Sequence, residues 1–213
     1  VLVQPPDISG FPTPSVTFKI RWSASNQPVD MLQAGALTVY ENEQLVPVHS
    51  LQQDDKGVYF ALAINGGREF DLRDANGISP YDHINAVLVN WAEKRKFSEE
   101  DALALITPEG VSIHHTKLPD EWVAALNAYQ PNFRTMTPDL ASLDSAIKLL
   151  AERVVPFGVD KSLLYLTLPP LAEHIEPIRL LTDQAQSAGI HINVWMLGET
   201  FFLNNDQGRV LIE

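Results

Sequence analysis

VYFALAINGG, residues 58–67, decides the fold, because seven consecutive apolar residues run directly into an asparagine and two glycines. An unbroken apolar run of this length predicts a strand buried on both faces, as in parallel sheets covered by helices. The next segment, Pro80–Lys94, carries apolar residues three and four apart, which predicts a helix. A strand, a loop and a helix in this order indicate the first unit of an α/β domain.

The following residues continue this pattern. We predict strands at Ala102–Thr107, Val111–His115, Ser162–Leu168 and Ile190–Leu197. We predict helices at Asp120–Tyr129, Asp139–Val154 and Ile175–Ser187, the last one stopped by Gly189. The turn Pro108-Glu109-Gly110 is short enough to force a hairpin, so its second strand must run antiparallel. The order β-α-β-β-α-α-β-α-β predicts an α/β fold with a doubly wound, mostly parallel sheet and one antiparallel strand.

The amino-terminal residues have a different sequence pattern. Alternating apolar and polar residues predict short strands at Val16–Trp22, Ala36–Tyr40 and Leu45–His49. So few strands cannot form a stable sandwich alone, and we expect them to pack on something else. The sequence therefore predicts an amino-terminal β segment over residues 1–54 and a principal α/β domain over residues 55–213.

Composition excludes several classes of protein. The 213 residues contain 15 Lys and Arg against 27 Asp and Glu, a formal net charge of −12, which repels nucleic-acid phosphates. There is no cysteine, so disulfides and thiolate metal sites are excluded. No apolar run approaches the roughly 18 residues needed to span a bilayer, so no membrane span is expected. The chain begins at Val1, which is compatible with a processed, exported product.

Several segments carry a family resemblance. They are Asp101–Ile106, Glu121–Leu126, Thr137–Leu140 ahead of Ala146–Leu150, Leu163–Thr167 and Ala185–Ile192. Together with the element order, residues 55 to 200 resemble the von Willebrand factor type A (VWA) domain, a Rossmann-like fold. Residues 11–42 are similar to β segments that precede such domains in secreted bacterial proteins. The resemblance implies an exported or cell-surface protein with a partial sandwich, and Asn205–Glu213 resembles the start of the family's last helix. One hypothesis is therefore that the chain is part of a longer protein.

The resemblance also implies a metal-ion-dependent adhesion site at the carboxyl ends of the strands. In the family, an Asp-x-Ser-x-Ser motif, a threonine from a later loop and an aspartate after the fourth strand hold Mg²⁺ through oxygen ligands. Here the motif reads Asn65-Gly66-Gly67-Arg68-Glu69, and Leu168 stands at the position of the second aspartate. Only the threonine is retained, as Thr137 or Thr135.

These replacements remove oxygen ligands and negative charge that a metal site would need. Asn65 is neutral, Gly67 has no side chain, Arg68 adds a positive charge and Leu168 cannot coordinate a cation. We therefore predict a degenerate site without metal, and no cofactor. The alternative is a rearranged Mg²⁺ or Ca²⁺ site that uses Glu69 with Asp71 or Asp74.

Two further features could suggest a metal site, namely the insertion at residues 69–80 and the histidines. The Asp and Asn spacing of the insertion faintly resembles a calcium loop, but a polar turn with positive φ at Asn76-Gly77 and Asp–Arg pairs explains it better. His114 and His115 are adjacent on a strand and point to opposite faces, so they cannot chelate one ion together. No nucleophile, phosphate-loop or dinucleotide motif is present.

The resulting prediction is a non-catalytic protein-interaction or structural module of VWA type that binds protein partners or subunits without a bridging metal. The alternatives are a Mg²⁺- or Ca²⁺-dependent adhesion module and an enzyme of unrecognised type on the same fold. The expected binding face is formed by the loops Asn65–Pro80, Thr135–Asp139 and Thr167–Ala172. Its degenerate metal-site positions are Asn65, Gly67, Arg68, Glu69, Thr135, Thr137 and Leu168. The tryptophans Trp22, Trp91, Trp122 and Trp195 are expected in the core, and Phe201-Phe202 either in the core or at an interface.

Overall fold

The computed structural model describes residues 57–198 and, in the amino-terminal segment, residues 2–3, 7, 9, 15–20 and 32–52. Contacts between Cα atoms divide the chain into two compact units, Val1–Asp55 and Lys56–Glu213. Trp22, Phe201-Phe202 and Asn205–Glu213 lie outside the described residues. No helix in the described ranges is both long and apolar enough to cross a membrane.

The second unit contains a five-stranded sheet. Its strands are β5 (Val58–Ile64), β6 (Ala102–Thr107), β7 (Gly110–Thr116), β8 (Asp160–Thr167) and β9 (Ile190–Met196), after four short amino-terminal strands β1–β4 described below. The order is β7-β6-β5-β8-β9. All neighbours are parallel except β6 and β7, which form the predicted antiparallel hairpin. The predicted α/β fold class is confirmed.

Helices cover both faces of this sheet. They are α1 (Pro80–Lys94), α2 (Pro119–Ala128), α3 (Ala141–Glu152) and α4 (Ile175–Ser187). Ala61 and Ala63 of β5 pack in the cluster that contains α3 and α4, whereas Leu62 and Ile64 pack in the cluster that contains α1 and α2. Because alternate residues of a strand face opposite sides, β5 must be apolar throughout, which explains its unbroken run.

Local signals explain where the helices begin and end. Ser79 and Asp82 form a capping box, in which the Asp82 N–H donates to Ser79 Oγ at 3.1 Å and the Ser79 N–H donates to Asp82 Oδ2 at 2.9 Å. Pro80 occupies the first helical turn, where no N–H is needed. Gly189, with φ of +68°, ends the segment after α4.

Some element boundaries were predicted wrongly. The helix α3 begins at Ala141 rather than Asp139, because the Asp139 N–H is bonded to Asn65 and its carboxylate accepts the Ala141 N–H at 2.9 Å. It ends at Glu152, before Val155-Pro156, where a proline disfavours helix in the preceding residue. Trp195, which was predicted in the core, is 42% exposed.

The described strands of the first unit are shorter than predicted. They are β1 (Leu2–Val3), β2 (Phe18–Lys19), β3 (Val39–Glu41) and β4 (Gln44–Val46), paired as two antiparallel two-stranded sheets. Asn42 and Glu43 have φ of 48° and 67° and form the two-residue turn between β3 and β4. Pro47 cannot donate a ladder hydrogen bond, so β4 ends at Val46 and not at His49.

His115 on β7 predicts a pH dependence of stability. Its ring lies 5.5 Å from the Tyr59 ring, and its two buried nitrogens make no hydrogen bond of normal geometry with the described residues. Burial, followed by the positive charge of Arg153, holds the pKa of His115 below its ordinary value of 6.5, while the Leu149 backbone opposes the shift. The folded state therefore keeps His115 neutral at a pH where the unfolded state binds a proton.

We expect the contribution of His115 to the free energy of unfolding to be greatest above pH 6.5. It should fall as the pH drops below 6.5 towards the folded-state pKa of His115. Urea denaturation at several pH values between 5 and 8 measures this slope. His115→Gln should reduce the slope, whereas His114→Gln, at the neighbouring exposed position, should retain it. An unchanged slope in His115→Gln would contradict the assignment.

Candidate functional site

The candidate site lies where β5 and β8, two neighbouring parallel strands, reach their carboxyl ends. Asn65 follows β5 directly, and Leu168 follows β8. The chain leaves β5 through α1 and leaves β8 through α4, and these helices cover opposite faces of the sheet. Such a switch point opens a crevice between loops and is where doubly wound sheets usually bind ligands.

Asn65 joins three loops through hydrogen bonds. Its side chain is buried, with 4% of the residue exposed. Its Nδ2 donates to Thr167 Oγ1 at 3.0 Å, and its Oδ1 accepts the Asp139 N–H at 3.1 Å. Thr167 Oγ1 in turn donates to the Leu168 carbonyl at 3.0 Å. The amide at position 65 therefore serves as a crosslink between the ends of β5 and β8 and the loop before α3.

Two of these partners, Thr167 and Asp139, were predicted only as ends of loops on the binding face and not among the degenerate metal-site positions. Tyr165, which is almost fully buried, adds a further bond, because its hydroxyl donates to the Asp139 carbonyl at 3.2 Å. Burial raises the pKa of Tyr165 to about 12, although hydrogen bonds with Thr167 and Asn65 act in the opposite direction. A threonine directly at the carboxyl end of the interior strand β8 was the sequence signal that could have identified Thr167 as a member of this crosslink.

The apolar side chain of Leu168 occupies the space beside Asn65. The residue is only 6% exposed. A Cβ added at Gly67 would overlap Leu168 Cδ1 and would lie 3.1 Å from Pro138 Cγ. The remaining cavity, bordered by Asn65, Thr167 and Leu168, has a volume of about 10 Å³, which is close to the minimum for one water molecule.

The residues present at this position do not fit a divalent cation. Mg²⁺ requires near-octahedral coordination by oxygen at about 2.0–2.1 Å. Asn65 Oδ1 and Thr167 Oγ1 are the side-chain oxygens in the hydrogen-bonded crosslink, and both are already engaged. In the described ranges, no group of three or more His, Asp or Glu side chains is arranged to hold a metal ion.

The other predicted site residues form an exposed rim. Arg68 and Glu69 are exposed at the start of a 3₁₀ turn, Arg68–Asp71. Thr135 and Thr137 are also exposed, and Thr135 Oγ1 donates to the Asn132 carbonyl at 3.1 Å. The structure therefore brings Asn65, Gly67 and Leu168 together and leaves these four side chains at the surface.

Two carboxylates of the alternative metal site, those of Asp71 and Asp74, are engaged elsewhere. Arg134 Nε donates to Asp71 Oδ2 at 2.7 Å, and an Arg73 guanidinium nitrogen lies 3.3 Å from Asp71 Oδ1. Asp74 Oδ1 accepts the backbone N–H groups of residues 76 and 78 at 2.8 and 2.9 Å, and these bonds lower the pKa of Asp74. These contacts match the predicted polar turn with Asp–Arg pairs.

One detail of that turn was predicted wrongly. Gly77 has a φ of +78°, whereas Asn76 is not among the residues with positive φ. Because the Asp74 carboxylate accepts the Asn76 N–H, Asn76 is held in the turn without adopting the left-handed conformation.

An aromatic cluster holds the two largest loops of the face together. The Phe70 ring stacks on the Phe133 ring with centroids 5.4 Å apart, and the Tyr81 ring lies 4.8 Å from Phe133. A Cβ added at Gly66 would lie 2.7 Å from Phe133 Cδ1, so the backbone approaches the cluster closely. Together with the Asp71–Arg134 pair, these contacts give the loop face a single packed arrangement.

Comparison with known proteins identifies the architecture. No family model matches the chain, and no curated protein matches it. The crystal structure of the SpRpn10 VWA domain has 13% sequence identity and a TM-score of 0.52, with 72% of this chain and 81% of that domain covered. This likeness concerns the fold.

Two weaker structural likenesses are to bacterial proteins. One is an aerotolerance-related membrane protein from Bacteroides fragilis, with 17% identity, a TM-score of 0.45 and 65% of each chain covered. The other is the conserved hypothetical protein BatB from Bacteroides thetaiotaomicron, with 16% identity, a TM-score of 0.45 and coverage of 65% of this chain. The chain spans 65% and 64% of the lengths of these two structures. Its second unit has a VWA-like α/β fold.

Proposed function

We propose that the protein is a non-catalytic protein-interaction module of VWA type that binds its partner without a bridging metal. The observation that carries this proposal is the hydrogen-bonded and apolar filling of the switch-point crevice by Asn65, Thr167 and Leu168. A crevice closed in this way leaves the loop rim above it as the surface for recognition. Partners are then bound by surface complementarity with polar and apolar side chains.

The rim is suited to binding because its loops are already ordered by their own contacts. The Asn65 crosslink, the Asp71–Arg134 pair and the Phe70–Phe133 stack hold the loops after β5 and β8 and before α3. A surface held in its bound arrangement loses little conformational entropy on association, which favours affinity. Exposed Leu72 and Leu171 add apolar area to the same rim.

The buried tyrosines are not tuned for acid–base catalysis near neutral pH. A general acid or base works best when its pKa lies near the working pH. Burial moves the pKa values of Tyr81, Tyr129 and Tyr165 upwards, away from neutrality. His174 also borders the cavity, but Thr167 Oγ1 is hydrogen-bonded to Asn65 and to the Leu168 carbonyl and not to this imidazole, so it forms no nucleophile–base pair with it.

An exported or cell-surface location is part of the proposal. Its support is the similarity of residues 11–42 to β segments that precede VWA domains in secreted bacterial proteins. Expression of the natural reading frame followed by fractionation tests the location. Recovery of the protein only in the cytosol would contradict it.

Calorimetric titration with Mg²⁺ and with Ca²⁺ tests the absence of a bridging metal. We expect no binding at micromolar concentrations and no change in melting temperature at 1 mM cation (about a hundredfold excess over a 10 μM Kd), where occupied sites would add about 2.7 kcal/mol of stability. Micromolar binding with a rise in melting temperature would support the metal-dependent adhesion module instead. Glu69→Gln serves as the control, because it should abolish binding by a rearranged site that uses Glu69.

A further inference from the structure

The β3–β4 hairpin of the first unit leaves apolar side chains exposed. Tyr40 and Leu45 stand opposite each other on the two strands and are 66% and 68% exposed, and Val39 is 44% exposed. Because neighbouring residues of a strand point to opposite faces, Val39 and Tyr40 place apolar surface on both faces of the hairpin. A two-stranded hairpin is only marginally stable in water unless an apolar face is covered. The hairpin therefore presents surface that a partner can bury.

A groove runs along the base of this hairpin. It has a volume of about 430 Å³ and is bordered by Gly35, Leu37 and Thr38 before β3 and by residues 45–48, Leu-Val-Pro-Val. None of these lining residues carries a charge. Leu45 belongs both to the groove and to the exposed pair with Tyr40, so the groove and the apolar surface are continuous. An open apolar groove of this kind suits the side chains of a peptide segment.

The stretch that contains the hairpin has an excess of negative charge. Residues 22–55 include neither Lys nor Arg, and their five acidic residues are Asp30, Glu41, Glu43, Asp54 and Asp55. The formal charge of these 34 residues is therefore −5, against −12 for all 213 residues. Glu41 and Glu43 are exposed at the turn of the hairpin, next to Tyr40 and two positions before Leu45. The apolar surface is thus bordered by carboxylates.

This charge decides among the possible occupants of the groove. A second copy of the chain, a nucleic acid or an anionic lipid surface would bring further negative charge to the hairpin and would be repelled. A peptide segment with Lys or Arg beside apolar residues complements both the groove and the carboxylates. Complementary charge also speeds the encounter of two partners and selects against wrong ones.

We propose that the β3–β4 hairpin binds a short segment of a protein partner that carries Lys or Arg next to apolar residues. The apolar side chains of the segment fill the groove and cover Tyr40 and Leu45, and its basic side chains lie near Glu41 and Glu43. Tyr40 is the expected anchor, because tyrosine is among the residues that contribute most to binding at interfaces. The surface belongs to the first unit alone, so the proposal does not depend on the exposed loop rim of the second unit.

Selection from a random peptide library displayed on phage tests the proposal. The full chain is the bait, after the library has been depleted on the Leu45→Gln variant, so that peptides binding elsewhere are removed. We expect the selected peptides to carry Lys or Arg next to an apolar residue. A synthetic copy of the most enriched peptide is then titrated by fluorescence anisotropy. Its affinity should fall as the salt concentration rises, because salt screens exposed charges.

Variants separate the apolar contact from the charge. Tyr40→Ser and Leu45→Gln should each weaken binding about tenfold or more, whereas Leu45→Met keeps an apolar side chain and should retain binding. Glu41→Gln should weaken binding less and should reduce its salt dependence, as expected for an exposed ion pair. Leu72→Gln is the matched control, because Leu72 is a leucine of the second unit that is 55% exposed. Amide NMR spectra that change only near the substituted residue show that each variant is folded.

Each result bears on the proposal separately. Selected peptides without basic residues, no selected peptide at all, or equal binding by Leu45→Gln and the unmodified chain would overturn it. Weaker binding by Leu72→Gln alone would assign the peptide to the loop rim and would also overturn it. A dimer in analytical ultracentrifugation that Leu45→Gln dissociates would show that a second copy covers the hairpin instead. Basic, apolar peptides whose affinity depends on Tyr40, Leu45 and Glu41 support the proposal.

Discussion

Replacing Trp122 with alanine lowers the free energy of unfolding by about 3–5 kcal/mol, the range for deleting a large buried aromatic side chain. Trp122 has no exposed surface and packs with its ring 6.2 Å from that of Trp91 and 6.3 Å from that of Phe60. Its Nε1 also donates to the Ala104 carbonyl at 3.0 Å, so the substitution leaves a cavity and a lost hydrogen bond beside β6. Urea denaturation measures the difference.

Trp195→Ala provides a matched control because it removes the same atoms from an exposed position. Trp195 lies on the edge strand β9 and is 42% exposed, so its loss should cost much less than that of Trp122. Trp122→Phe should fall between the two, since it keeps an aromatic ring but loses the indole N–H. Equal destabilisation by the two alanine variants would contradict the assignment of Trp122 to the core.

Asn65→Asp is expected to destabilise the folded state at pH 7 by about 1–3 kcal/mol, the usual cost of breaking a buried polar network. The change replaces the Nδ2 donor to Thr167 with a carboxylate oxygen in a residue that is 4% exposed. Burial raises the pKa of a carboxyl, so the neutral acid is favoured in the folded state. The destabilisation should therefore be greatest above that raised pKa and should diminish as the pH falls through it.

Adding Mg²⁺ or Ca²⁺ tests whether the same variant regains a metal site. We expect no recovery of stability at millimolar cation, because the side chains of Leu168 and Pro138 occupy the adjacent space and carry no oxygen. Asn65→Ala controls for the loss of hydrogen bonds without an added charge, and its stability should not rise as the pH falls in the way expected for Asn65→Asp. Recovery of the aspartate variant by Mg²⁺ would show that a cation fits beside residue 65.

For four elements with strong local sequence signals, the first and last residues were predicted correctly. The strands Val58–Ile64 and Ala102–Thr107 and the helices Pro80–Lys94 and Ile175–Ser187 have the predicted bounds. In each case the decisive information is local, such as an uninterrupted apolar run or the Ser79-Pro80 start of α1. For the strands, the local pattern agrees with the fold because a strand covered by helices on both faces must be apolar at every position.

Elements whose ends depend on distant residues were predicted less well. The start of α3 moved from Asp139 to Ala141 because Asn65, 74 positions away, binds the Asp139 N–H. Trp195 has an apolar pattern typical of a core residue, but β9 is an edge strand with one described neighbour. Neither the order of strands nor the identity of the sheet edge follows from a local pattern.

Residue types alone predicted the α/β architecture, determined the acidic charge and put the uncharged Asn65 and the apolar Leu168 directly after two predicted strands. Which contacts these two residues make depends on folding, which joins Asn65 to Thr167 across 102 positions and places Leu168 against Gly67. Hydrogen bonds and van der Waals contacts act over a few ångströms, so only a chain folded in three dimensions reveals which distant groups meet.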